Sequence, residues 1–348
     1  MQRQLSLGKS EDAVSPVIGT VLILAIMITI TGTMLAWGIP QIQQSEAYAI
    51  YTSSQNNLLN FDADLDHVIL QGEGASRTST VSFSSGSFVE RSNLDEIKYY
   101  YTTVSWSNPT IVGVTNGATQ FAMMDSKSEV SDYSVTLTYP NGTEWTGTTS
   151  ERIVSDFPYP LTYGTSAIYS STTNTTQVGG FYIYGTDALS YRYSSVSGVF
   201  KMRMFNGGVV SKEPGGPFFV SSKPLVRSVS SSEGLDSLTF YQTDYNLSSS
   251  AKSVTAGNFI FDARNQGGRD VSLDVYSVRV GFSGDSSLAL RNYYFNELGF
   301  TPNTFYFTPA ESLVGSSMGF EEDVVLSQSS AFDFRILERT INVKFNLR

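Results

Sequence analysis

The sequence predicts an α+β protein: one long hydrophobic N-terminal helix followed by an all-β, sandwich-like head. Three observations carry that expectation. Residues 13–45 hold no charged side chain. From Ser76 onward, short runs alternate apolar and polar residues between turn signals, which is the period of a half-buried strand. The 20 Tyr and 22 Phe can fill a sizeable core, while only 16% of residues are charged, below the roughly 25% of an ordinary soluble domain.

The helix comes first. About 20 apolar residues suffice to cross a bilayer, and the run from Val14 to Ile39 exceeds that length. Ser15 is placed to cap the free N–H groups, with Pro16 at the first helical position. Gly19, Gly32 and Ala36 are small, and the last two form a small-xxx-small pair that lets another helix approach closely. Pro40 removes a hydrogen bond to Ala36 and predicts a kink. Beyond it, Leu58, Phe61, Leu65 and Val68 form an apolar stripe at helical spacing, and Gly72 and Gly74 supply a stop. The expected anatomy is a membrane-spanning half at 14–39 and an amphipathic extension at 40–71 that docks on the head. Arg3 and Lys9 precede the run, and no Lys or Arg follows until Arg77. That asymmetry places the N-terminus in the cytoplasm and the head outside.

Residues 12–24, Asp-Ala-Val-Ser-Pro-Val-Ile-Gly-Thr-Val-Leu-Ile-Leu, closely resemble the N-terminus of archaeal type IV pilins. The resemblance implies a class III leader at 1–13, with Asp12 and Ala13 before the cut and Val14 after it. It implies an archaeal prepilin peptidase and pilus assembly machinery as partners. It further implies that the apolar helix is retained and packs with other pilin subunits. The fifth mature position is Ile18, where bacterial type IV pilins have Glu, as is usual for the archaeal group.

The head, residues 72–348, reads as β throughout. Ile97, Tyr99 and Tyr101 alternate with Lys98, Tyr100 and Thr102, so half of the aromatics in this strand are expected to face outward, and the same is expected of Tyr293-Tyr294-Phe295. Val135, Leu137 and Tyr139 precede Asn141-Gly142, a tight hairpin turn in which both residues would take positive φ. Phe259, Phe261 and Ala263 form one strand, Val271, Leu273 and Val275 the next, and Ile341, Val343 and Phe345 a final one. Two subdomains with a boundary near 170–177 are one solution, a single enlarged domain the other.

Several chemistries are excluded. With no cysteine there is no disulfide framework and no thiolate site. A net charge of −10 argues against nucleic-acid binding. His67 is the lone histidine, so a His-His zinc site is impossible. Asp62, Asp64, Asp66 and Glu73 match four calcium-loop positions, but His67 stands where the loop needs Gly, and a solvated acidic face is the better reading. Glu321-Glu322-Asp323 reads as a solvated turn. Asn141, Asn174 and Asn246 head three sequons and are glycosylation candidates on an exported chain.

The sequence therefore points to a non-enzymatic pilin or minor pilin-like subunit, without cofactor or metal, whose partners are membrane lipid and related subunits and whose head serves adhesion or surface contact. A single-pass anchored binding protein that does not polymerise is one alternative. A membrane-tethered hydrolase using carboxylates is the other.

Overall fold

The computed structural model describes residues 14–105, 110–114, 116–124, 132–149, 153–173, 175–247, 253–302 and 322–347. One long helix precedes a β-rich head. Helix α1 spans Val14–Gln71 and continues as helix on both sides of Pro40. Gly72 ends it with a φ of +85°, a left-handed conformation that a residue without a β-carbon adopts freely.

The head opens with β1 (Ser76–Thr102). Six short strands follow: β2 (Thr110–Gly113), β3 (Phe121–Met124), β4 (Tyr133–Thr138), β5 (Glu144–Thr149), β6 (Ile153–Val154) and β7 (Ser166–Ser171). Next come β8 (Gln177–Ser195), β9 (Gly198–Phe205), β10 (Gly208–Lys212), β11 (Phe218–Ser222) and β12 (Val226–Ser231). Then β13 (Gly234–Leu247), β14 (Ser253–Asn265) and β15 (Asp270–Gly284) lead to helix α2 (Ser287–Glu297), β16 (Thr301–Pro302) and β17 (Glu322–Leu347).

The main sheet runs β11-β10-β9-β8-β1-β14-β17-β13-β12. Two long strands organise it. Residues 76–89 of β1 pair with β14, residues 95–102 pair with β15, and the opposite edge carries β8. Strand β17 lies antiparallel to β14 and β15 and parallel to β13. Strands β4, β5 and β7 join through the β7–β8 pairing, while β2, β3 and β6 form a separate small sheet. Strands β7 and β8, which meet at the 170–177 stretch, pair antiparallel.

Three cores result, and β1 contributes to all of them. Val81, Phe83 and Phe88 pack in the first, beneath α1. Ile97, Tyr99 and Tyr101 enter the second, which α2 covers with Ala289, Leu290 and Tyr294. Tyr100 enters the third, with Phe121, Leu137 and Phe181. The expected outward half of Tyr99-Tyr100-Tyr101 is therefore absent. All three rings are buried, because other parts of the head cover both faces of this part of β1.

Three other local expectations are corrected. Tyr293, Tyr294 and Phe295 lie on helix α2, not on a strand. Tyr294 is buried against Phe240 and Phe282, with ring centroids 5.9 and 5.0 Å away, while Phe295 is exposed. In the β4–β5 hairpin only Gly142 takes positive φ, at +80°. Gly142 N–H donates to the Tyr139 carbonyl at 2.9 Å across Pro140 and Asn141, and proline's fixed negative φ suits its place in this turn. Glu322 and Asp323 open strand β17 rather than a turn; Glu321 and the side chains of all three lie outside the described residues.

Candidate functional site

Helix α1 divides sharply by exposure. Fifteen large apolar side chains between Val17 and Ile42 are exposed, Met34 at 69% and Trp37 at 73%. Among the described residues burial begins at Ala47, and the buried apolar side chains that follow are Tyr51, Leu58, Phe61, Leu65, Val68 and Ile69. The predicted stripe is thus the docking face. Phe61 meets Phe261 at 4.9 Å, and Tyr51 stacks on Phe200 at 4.7 Å. At about 1.5 Å per residue the free part from Val17 to Glu46 is roughly 45 Å long. The helix is long and apolar enough to cross a membrane.

Covering even one large aliphatic side chain is worth about 1.5–3 kcal/mol. A continuous surface of this kind marks an interaction site rather than an ordinary solvent face. Its polar groups suit a dry surrounding. The Thr20 hydroxyl donates to the Val17 carbonyl at 2.9 Å. Thr29 donates to Ala25 at 2.8 Å, and Thr33 to Thr29 at 2.7 Å. These hydroxyls are satisfied within the helix, as a water-free environment demands.

Gly19, Gly32 and Gly38 stand in the open on this part of α1, where an added β-carbon would meet nothing within 4 Å. Glycine inside a helix costs about 1 kcal/mol relative to alanine. Among the described residues no neighbour explains that choice at these positions. Ala36, the other half of the small pair, lies on the same exposed stretch.

The docked half ends in a polar junction. Asn265 is fully buried, and its Nδ2 donates to the Val68 carbonyl at 3.1 Å, supplying one of the partners that terminal helix carbonyls lack. The solvated acidic face expected at Asp62, Asp64, Asp66 and Glu73 is only partly present. Glu73 is exposed, and Asp64 accepts from Arg77 Nε at 2.6 Å and from the Ser79 hydroxyl at 2.5 Å. Asp62, by contrast, is buried, because its helix turn faces β11 and β13 rather than solvent. Sequence spacing placed these residues on a helix, but the burial depends on strands distant in the chain. His67 is exposed.

The remaining candidates are scattered. Val14 opens α1, while Asp12 and Ala13 lie outside the described residues. Asn141 sits exposed in the β4–β5 turn, where its Oδ1 accepts from Thr143 N–H at 2.9 Å. Asn246 is exposed on β13, and Asn174 lies outside the described residues. Among the described residues, no three His, Asp or Glu side chains gather as a metal site. A groove of about 370 Å³ between β11 and α2 is bordered by Phe219, Asn292, Tyr293 and Asn296, with the Lys223–Glu297 ion pair of 2.9 Å at its edge.

No family model, no curated protein and no solved structure matches this chain.

Proposed function

We propose that the chain is a pilin or minor pilin-like subunit of an archaeal type IV pilus-like filament. The observation that carries this reading is the continuity of α1. A single helix joins a bare apolar half to a half embedded in a β head. Lipid covers the bare half before assembly, and the same half of neighbouring subunits covers it afterwards. Thr hydroxyls bonded to their own backbone and glycines with open space around them suit both surroundings. The likeness of residues 12–24 to archaeal pilin N-termini supports the same conclusion and supplies the processing point before Val14. The head then lies outside the cell and serves adhesion or surface contact.

Sequencing the N-terminus of native protein from sheared surface filaments tests the proposal. Val14 as the first residue is the expected result. An intact N-terminus, recovered from membranes and never from filaments, favours the single-pass anchor instead. Replacing Ala13 with a bulky residue is expected to block maturation, and normal processing of that variant would count against the leader assignment.

A further inference from the structure

The docking half of α1 carries one line of polar residues beside its apolar stripe. Tyr51, Gln55, Asp62 and Asp66 recur at spacings that place them on one helix face. Gln55 is satisfied there, since its Nε2 donates to the Ser221 hydroxyl at 3.1 Å. The two carboxyls are not. Asp62 is 1% exposed and its Oδ1 has no hydrogen-bond partner; Asp66 is half-buried, and its Oδ1 and the hydroxyl of buried Tyr245 on β13 also lack a partner among the described residues. Asp66 is pressed beneath the turn between β9 and β10, where a β-carbon on Gly207 would come within 2.5 Å of its Oδ1.

The groups facing the pair come from every element packed there. From α1 each carboxyl faces the other. Strand β11 offers the Ser222 side chain to Asp62, and β13 offers Tyr245 to both. Among the described residues neither carboxyl is ion-paired with a lysine or arginine. Two ionised carboxylates side by side in such a site have no positive charge, and for Asp62 only the Ser222 side chain, to offset their lost hydration.

We propose that Asp62 and Asp66 form a proton-operated latch between the helix and the head. Protonated, the pair lets residues 51–71 of α1 lie closed in the sheet; ionised, it loosens that half of the helix.

The direction follows from the shifts. Burial pushes each carboxyl from its ordinary 3.8 up to about 7, and the charge of Asp62 adds to the shift of Asp66. The docked state therefore binds more protons than the undocked one. Its advantage is complete below about pH 4 and is lost as pH rises through about 7. In that window each carboxyl weakens docking by up to ~10-fold per pH unit.

Hydrogen exchange on the full chain in detergent micelles reads this directly, with rates at pH 5 and pH 8 corrected for intrinsic exchange. Peptides covering 51–71 are expected to lose at least ~10-fold of their protection between the two values, while peptides from β15 keep theirs. Asp62→Asn with Asp66→Asn abolishes the difference, whereas Glu46→Gln, an exposed site on the same helix, leaves it intact. Equal loss in the wild type and the double variant, or protection that does not depend on pH, overturns the latch. Should the double variant fail to fold, Asp66→Asn alone decides: a reduced pH response supports the proposal and an unchanged one refutes it.

Discussion

Asn265 closes the end of α1 on Val68: its Nδ2 donates to the Val68 carbonyl at 3.1 Å, across 197 residues of sequence. The Asn265 main chain continues the junction, donating its N–H to the Ala75 carbonyl and accepting from Gly74 N–H, each at 2.9 Å. One residue of β14 thus holds both the helix end and the loop that leaves it.

Asn265→Ala is therefore expected to destabilise the head by about 1–3 kcal/mol, the cost of leaving a buried acceptor unpaired. Asn265→Asp should be worse, because a carboxylate cannot donate and sits at the negative end of the helix dipole. Chemical denaturation of the two variants ranks them, and a milder effect for Asp than for Ala would contradict the account.

A second prediction concerns Asp95. This buried carboxylate accepts from Arg203 Nη1 at 3.1 Å and from the Ser286 hydroxyl at 2.6 Å. It ties β1 to β9 and to the start of α2. Arg203→Met leaves the charge buried without its ion partner and should cost roughly 3–5 kcal/mol. Restoring neutrality with Asp95→Asn in the same chain should recover part of that loss. A double variant no more stable than Arg203→Met would show that the charge is not the issue.

Tyr294 is predicted to be the anchor of α2. Its ring lies between Phe240 and Phe282 and also meets Phe300 at 5.6 Å. Tyr294→Ala should cost about 3–5 kcal/mol, as large aromatic truncations in cores do. Limited proteolysis should then cut within 287–297 first. Phe295→Ala, next to it but exposed, should change melting by no more than about 0.5 kcal/mol.

The open glycines give a test that separates folding from assembly. A β-carbon at Gly32 would meet no described atom within 4 Å beyond its own helix turn, so with Gly32→Leu the melting of the head should be unchanged. If α1 packs against its own kind, the same substitution should reduce filament yield several-fold by electron microscopy of cell-surface preparations. Unaltered filaments would place Gly32 away from any subunit contact.

Much of α1 was legible in sequence. The absence of charge marked the bare half, the spacing of Leu58, Phe61, Leu65 and Val68 marked the docked face, and Gly72 marked the end, because each is a local signal. Tyr100 was not legible. Its burial depends on the third core, built largely from residues 110–183, which arrives over the face that alternation alone would leave to solvent. Helix α2 was hidden for a different reason: a cluster of aromatic residues favours strand by composition, and Ala289, Leu290 and Tyr294 are covered only by the strands of the second core. Asp62 was misjudged because an acid on a helix is normally solvated, and nothing nearby in sequence signals that β11 and β13 will cover it.

The shared role of β17 also dictates the order in which the head can be finished. Ile341 is flanked by Tyr245 on one side and by Asn265 on the other, so neither β13 nor β14 has its full set of neighbours until residues 322–347 are present. Pairing over such separations is slow compared with forming a helix or a hairpin. During synthesis, the apolar floor beneath α1 must therefore wait with an open seam. Factors that shield nascent chains would be needed in that interval rather than after it.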